Sequence, residues 1–457
     1  MPNPATGARP PLEFIPPDLD SLVLRGCQAF LPLWLRFGTN LRQIEADRLD
    51  TLLDLYEQFK AKKIRLLLAF RHPSVDDPYC MGYLFWKLLT RRARERGIDL
   101  KPPLHAYFMY DRGIPLWAGA KVGWLYSKLG GTPIQRGKTD LAGLRSARRL
   151  LLEGNYPLAA APEGATNGHN EIISPIEPGV SQLAFWCFED LRKAGRDEDV
   201  YILPLGIQYF YTTPIWGEIE EILASLENDV GLAPVADRSI SEKNLYDRLF
   251  HLGEGILTLV EDFYREFYNR SLPEIPHNGD DPNETLFKRL TRLLDTALRV
   301  AEEYFNLPAS GTAIDRCRRL EQAGWDRVYR EELKDTGHLS PVQRGLADRV
   351  ADEANLRIWH MRIAESFVAV TGYYVKEKPT VDRFAETTLL LWDLVTRIKG
   401  GNAFFRPRVG EKRAKITIGE PISIRARAPE YKSDRKGAVT RLTADLQESL
   451  ERLILKE

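Results

Sequence analysis

The chain has 457 residues, 44% of them apolar and 28% charged, with 64 basic against 64 acidic side chains. That composition belongs to a globular protein with material for two or three domains, and the balanced charge gives no global attraction for nucleic acid, although a local basic patch could still face anionic lipid. The four cysteines, Cys27, Cys80, Cys187 and Cys317, are scattered without a C-x-x-C pair, which fits neither a disulfide framework nor a zinc site and suits a reducing cytoplasm.

The amino terminus, Met1-Pro2-Asn3-Pro4, has no basic region ahead of an apolar core, so no secretory signal is expected. Residues 22–37 mix leucine and aromatic bulk with Arg25, Gln28 and Arg36. The stretch is too short and too charged to span a bilayer. It can lie in a membrane interface or pack as an ordinary helix on a core. Residues 41–59 read as an amphipathic helix, carrying Ile44, Leu49, Leu52, Leu53, Leu55 and Tyr56 as its apolar stripe.

Ile64-Arg65-Leu66-Leu67-Leu68-Ala69-Phe70 has the length and greasiness of a buried strand. Strand-like runs recur at 104–110, at 131–136 after Gly130, at 156–161 and at 201–207, with helical patterns between them. The alternation predicts an α/β fold, a mixed sheet flanked by helices. From about residue 216 the strand pattern stops and long helical stripes run to Gly400-Gly401, among them Leu245, Leu249, Leu252, Ile256, Leu259, Phe263 and Phe267. A strand pattern returns at 414–422, followed by a terminal helix at 442–455. The expected organisation is therefore a helical, membrane-associating segment at 1–60, an α/β core at 61–215, an all-helical insertion at 216–402, and the last strand and helix of the core at 403–457.

Just past the first strand stands Arg71-His72-Pro73-Ser74-Val75-Asp76-Asp77. An imidazole with an ordinary pKa of roughly 6.5 can accept a proton near neutrality, and a nearby carboxylate orients the ring and stabilises the imidazolium. His72 reads as a general base with Asp77 as its partner, at a strand's carboxyl end, where ligands bind in open α/β sheets. The same residues also allow Asp77 to be a helix cap before Pro78, with His72 an ordinary loop residue. His169, in Asn167-Gly168-His169-Asn170, reads as a loop residue.

His-x4-Asp, an arginine (Arg136) after a Gly-Thr-Pro-Ile turn, Pro162-Glu163-Gly164 after an apolar strand, and the later Leu203-Pro204-Leu205-Gly206-Ile207 stand in a fixed order. Together they resemble the ordered blocks of the glycerolipid acyltransferase family, typified by lysophosphatidic acid acyltransferase, over about 61–215 and 405–425. The resemblance implies a glycerol-phosphate acyltransferase-like α/β fold and transfer of a fatty acyl group from acyl-CoA or acyl-carrier protein to a lipid hydroxyl. The implied acceptor is a lysophospholipid, foremost 1-acyl-glycerol-3-phosphate, giving phosphatidic acid for phospholipid biosynthesis. It further implies that His72 deprotonates the acceptor, Asp77 holds the imidazole, Arg136 binds an acceptor phosphate, Glu163 binds an acceptor hydroxyl and Gly164 lets backbone approach the ligand. No metal or redox cofactor is called for, and the expected setting is cytoplasmic and peripheral on a membrane surface.

The chain departs from the family pattern at two places. Arg71 stands where the family has asparagine before the histidine, and Thr166 where Phe-Pro-Glu-Gly-Thr-Arg-Ser has its arginine. The second change weakens the case for a phosphorylated acceptor and keeps another lipid alcohol open. A lipid-binding protein that keeps the fold without turnover is the alternative from a different class. Serine hydrolysis has no G-x-S-x-G elbow to support it.

Overall fold

The structure, a computed structural model, describes residues 7–135, 140–233, 238–273, 275, 281–334, 339–367, 372–403 and 405–455. The chain forms two compact units, one of Phe14–Thr212 with Glu411–Glu457, the other of Met1–Glu13 with Thr213–Gly410.

The first unit is α/β. Its strands are β1 (Leu41–Asp47), β2 (Ile64–Phe70), β3 (Tyr107–Asp111), β4 (Gly131–Ile134), β5 (Leu158–Ala160), β6 (Asp199–Tyr211), β7 (Lys412–Ile418) and β8 (Ile422–Ser423). They make one mixed sheet in the order β1-β7-β6-β2-β5-β3-β4, with the short β8 on β6. Strands β6, β2, β5, β3 and β4 run parallel, whereas β7 is antiparallel to β6 and β1 parallel to β7.

All seven residues of β2 are buried because helices cover both faces, which is why its sequence is continuously apolar rather than alternating. Leu66, Leu68 and Phe70 pack with Leu52, Tyr56, Leu84 and Phe85 on one side. Leu67 and Ala69 pack with Leu151, Leu183, Phe185 and Leu442 on the other. The one charged member, Arg65, sends its guanidinium to the carbonyls of Leu151 (2.6 Å) and Gly154 (2.7 Å).

The segment 41–59, expected as one helix, divides into β1 and a helix over Leu49–Lys60. The physical reason is long-range: Leu41 to Asp47 pairs in parallel with Lys412 to Thr417, a partner invisible to local periodicity. Among the described residues of 1–60, expected helical, only Ser21–Gly38 and Leu49–Lys60 are helices. Arg9 instead lies extended in the second unit, bridging to Tyr329 and hydrogen-bonded to the backbone of Val328 and Arg330.

The second unit is helical, with helices at Trp216–Val230, Glu242–Tyr268, Pro282–Phe305, Ala313–Val328, Pro341–Phe367, Gly372–Glu377 and Val381–Ile398. Its chain leaves the sheet at the end of β6 and returns at the start of β7, where Tyr211 pairs with Lys412 and the Thr212 amide donates to the Glu411 carbonyl at 2.9 Å. Exit and return are thus adjacent, as in a hairpin, so a long insertion can be carried there without disturbing the sheet.

Each unit buries a neutral histidine. In the α/β unit, the His105 ring accepts from Trp86 Nε1 at Nδ1 (3.3 Å) and lies 2.9 Å through Nε2 from the Leu129 carbonyl. In the helical unit, His360 lies between the hydroxyls of Tyr264 (2.8 Å) and Tyr268 (3.0 Å). Desolvation pushes both imidazoles down to about 4. A group whose folded pKa lies below its unfolded value of roughly 6.5 leaves stability intact above that pH and removes it as pH falls toward 4. Over this window His105 alone is expected to cost about 3 kcal/mol, with His360 acting in the same direction. Urea unfolding of the full chain at stepped pH checks this: the slope between pH 6.5 and 4 should flatten in His105→Gln, and an unchanged slope would contradict the assignment.

Candidate functional site

The site is built where β2 ends. The parallel strands direct their carboxyl ends to one rim, and the turns that follow β2 and β5 meet there because the two strands are paired, Leu67 with Leu158 through Ala69 with Ala160. After Phe70 the chain turns through Pro73 and Ser74 into the helix Asp77–Tyr83, which runs on through a wider π-helical turn, Leu84–Leu89, to Thr90–Glu95.

His72 and Asp77 are in direct contact, with His72 Nδ1 2.8 Å from Asp77 Oδ2. The Asp77 side chain is fully buried, whereas that of His72 is 25% exposed. With the Asp77 oxygen as acceptor of this contact, Nδ1 carries the hydrogen and Nε2 keeps its lone pair. Asp77 is not the helix cap that its sequence position suggested. The cap is Asp76, which makes no side-chain cap bond, and Asp77 is the first helical residue. Its carboxylate turns back instead, taking the Ser74 amide on Oδ2 at 3.1 Å and the Tyr209 hydroxyl on Oδ1.

Glu163 reaches the same turn from the end of β5. Its Oε1 accepts the His72 amide at 2.8 Å; its Oε2 accepts the Ser174 amide at 3.0 Å and Asn167 Nδ2 at 3.2 Å. The side chain is wholly buried, with the Arg71 guanidinium 4.0 Å away. Burial raises its pKa, opposed by the Arg71 charge and by the two amides. Both oxygens thus accept hydrogen bonds within the protein, and Glu163 ties the loop after β5 to the backbone of His72. Gly164 adopts a left-handed backbone, φ +72°, which a side chain would strain, so the turn itself asks for glycine there.

Arg71, noticed in sequence only as a departure, is fully buried. Its planar fork donates to the carbonyls of His169 (2.9 Å), Ile172 (2.7 Å) and Asn170. His169 is thus part of the clamped loop through its backbone. Asn170 in turn holds both backbone polar groups of Tyr209, accepting from its amide at 2.8 Å and donating to its carbonyl at 2.5 Å. Arg136 lies outside the described residues.

Sequence reasoning missed Tyr209. The strand-like pattern in sequence ends at Ile207, whereas β6 continues to Tyr211. The signal was present in the alternation: Leu203, Leu205, Ile207 and Tyr209 all join the same core cluster, as period-two side chains must.

No protein-family model matches the chain, and neither does any curated protein.

Proposed function

We propose that this chain is an O-acyltransferase of the glycerolipid acyltransferase type, with His72 as the general base. The observation that carries the reading is the His72–Asp77 contact, in which a fully buried carboxylate engages Nδ1 of an imidazole whose side chain is 25% exposed. Nε2 takes the proton of the acceptor hydroxyl. The acceptor oxygen bonds to the thioester carbonyl carbon, the C–S bond breaks, and the thiolate leaving group recovers the proton from the imidazolium. General-base assistance of this kind is worth about 10²–10⁴ in rate. The ordered motifs in sequence, and an α/β sheet that carries two of them to one rim, support the family assignment.

The acceptor is a lipid alcohol, with a lysophospholipid such as 1-acyl-glycerol-3-phosphate first and a non-phosphorylated alcohol second. Thr166, in place of the family arginine, favours testing the second. The decisive assay incubates the full chain with a long-chain acyl-CoA, or acyl-carrier protein, and a panel of lipid alcohols in liposomes. Thiol release and a new acylated lipid by mass spectrometry are expected. Liposome binding without thioester consumption on any acceptor would instead favour the non-catalytic lipid-binding reading.

Among the described residues no helix is long and apolar enough to cross a membrane. The helix Ser21–Gly38 suits peripheral attachment. It buries Leu24, Leu31 and Leu35 but exposes Leu22, Phe30, Leu33, Trp34 and Phe37. It carries Arg25 and Arg36 and no acidic residue, a charge suited to anionic headgroups. Trp34 lies 6.2 Å, centroid to centroid, from Tyr79 on the helix that bears Asp77. Burying a large apolar side chain is worth about 1.5–3 kcal/mol. Leu33→Ser with Phe37→Ser should accordingly weaken cosedimentation with anionic liposomes by at least about tenfold, leaving the buried leucines in place. Undiminished binding would remove this helix from the reading.

A further inference from the structure

We infer that Tyr209 is a positioning residue for the dyad: its hydroxyl locks the Asp77 carboxylate in the orientation that keeps Nδ1 of His72 protonated and Nε2 free. This rests on the reading of His72 as a base. The inference begins with strand length. β2 ends at Phe70, which pairs with Leu205, but β6 continues for six residues beyond that point. The extension carries Tyr209 past the end of β2, on the face covered by the helix that holds Asp77 and Cys80.

There the polar groups form a directional chain. Cys80 Sγ is 3.4 Å from the Tyr209 hydroxyl, and that hydroxyl contacts Asp77 Oδ1. Asp77 and Cys80 are completely buried and Tyr209 nearly so. Burial, then the Asp77 charge, push both the phenol and the thiol well above their ordinary ranges. Both therefore keep their protons, and the chain can run in one direction: Cys80 S–H to Tyr209 oxygen, Tyr209 O–H to Asp77.

The carboxylate is thus held at both oxygens, by Tyr209 on Oδ1 and by the Ser74 amide and His72 on Oδ2. With one oxygen released it could turn about its terminal bond, and its grip on Nδ1–H would slacken. Tyr209 itself has little freedom, because Asn170 holds its amide and carbonyl. Asn170 belongs to the loop that Arg71 clamps. The imidazole is in this way referenced to the loop after β5 by two routes, through Glu163 at its backbone and through Asn170, Tyr209 and Asp77 at its ring.

The test is the tautomer of His72, which needs no substrate. In protein labelled with ¹⁵N-histidine, the His72 signals are assigned among the seven histidines by their loss in His72→Gln. The intact protein should give a protonated Nδ1 and an unprotonated Nε2, and Tyr209→Phe a mixture with more Nε2–H. If acyl transfer is detected, Tyr209→Phe should also lower kcat by about 10–100-fold with KM unchanged, as loss of a group that orients a functional histidine does. An unchanged tautomer in folded Tyr209→Phe overturns the inference whatever the activity. A mixed tautomer in a protein without acyl transfer upholds the positioning role and counts against the proposed reaction. Should Tyr209→Phe fail to fold, 3-fluorotyrosine placed at 209 keeps the ring shape but donates more strongly. It must then move the His72 Nδ1–H resonance, and no movement overturns the inference.

Discussion

His72→Ala is expected to lower the rate of thiol release by about 10²–10⁴ while leaving liposome binding unchanged. The imidazole Nε2 is the proton acceptor in the proposed step, and alanine leaves nothing to replace it. The loss should lie in kcat, because a general base acts in the transition state rather than in ground-state binding. Folding should be little affected, since the ring is a quarter exposed and the Glu163 contact is to the His72 backbone amide, which alanine retains. Asp77→Asn is expected to be nearly as damaging. An asparagine amide can donate to Nδ1 and favour the tautomer whose Nε2 already carries a hydrogen. Initial rates at saturating thioester and acceptor distinguish the outcomes. Wild-type turnover in His72→Ala would end the general-base mechanism.

Arg71→Met carries the largest expected effect on stability, a loss of about 3–5 kcal/mol. The guanidinium is fully buried, donates to three loop carbonyls and lies beside the buried Glu163 carboxylate. Methionine of similar length would fill much of the space but leave those carbonyls short of donors and Glu163 without a nearby positive charge. Arg71→Lys should rescue only part, because a single ammonium cannot reproduce a planar fork reaching three acceptors. Adding Glu163→Gln to Arg71→Met should return only part of the loss: the uncompensated charge goes and an oxygen remains for the His72 amide, but the new amide nitrogen cannot accept from Ser174 and Asn167 as Oε2 does. Urea unfolding at pH 7 reads all three variants. A change under about 1 kcal/mol in Arg71→Met would mean that the loop is held by other contacts.

What the sequence determined by itself was the local pattern. The apolar run of β2 was legible because both faces of that strand are buried, and the long helical stripes after residue 216 were legible because most of their apolar residues are buried, although Leu259 and Phe267 are exposed. The dyad could be read because a turn and the start of a helix bring His72 and Asp77 close in space from five residues apart in sequence. The role of Asp77 was legible only in part: its position suggested a cap, and the tertiary structure turned its carboxylate away from the helix. Glu163 was legible for its place after a strand, but only the fold shows which backbone amides its oxygens accept from.

The rest depended on residues remote in sequence. Leu41 to Asp47 became a strand because β7 lies beside it. Arg71 acquired its acceptors from a loop about a hundred residues away. Tyr209 reached Asp77 across a separation of 132 residues. The common reason is physical: periodicity records which side of an element is buried, and short-range turns record which neighbours meet. The partner of a buried polar group is fixed only when two separate stretches of chain cross, and here that crossing, at the carboxyl rim of β2, decides how the imidazole is held.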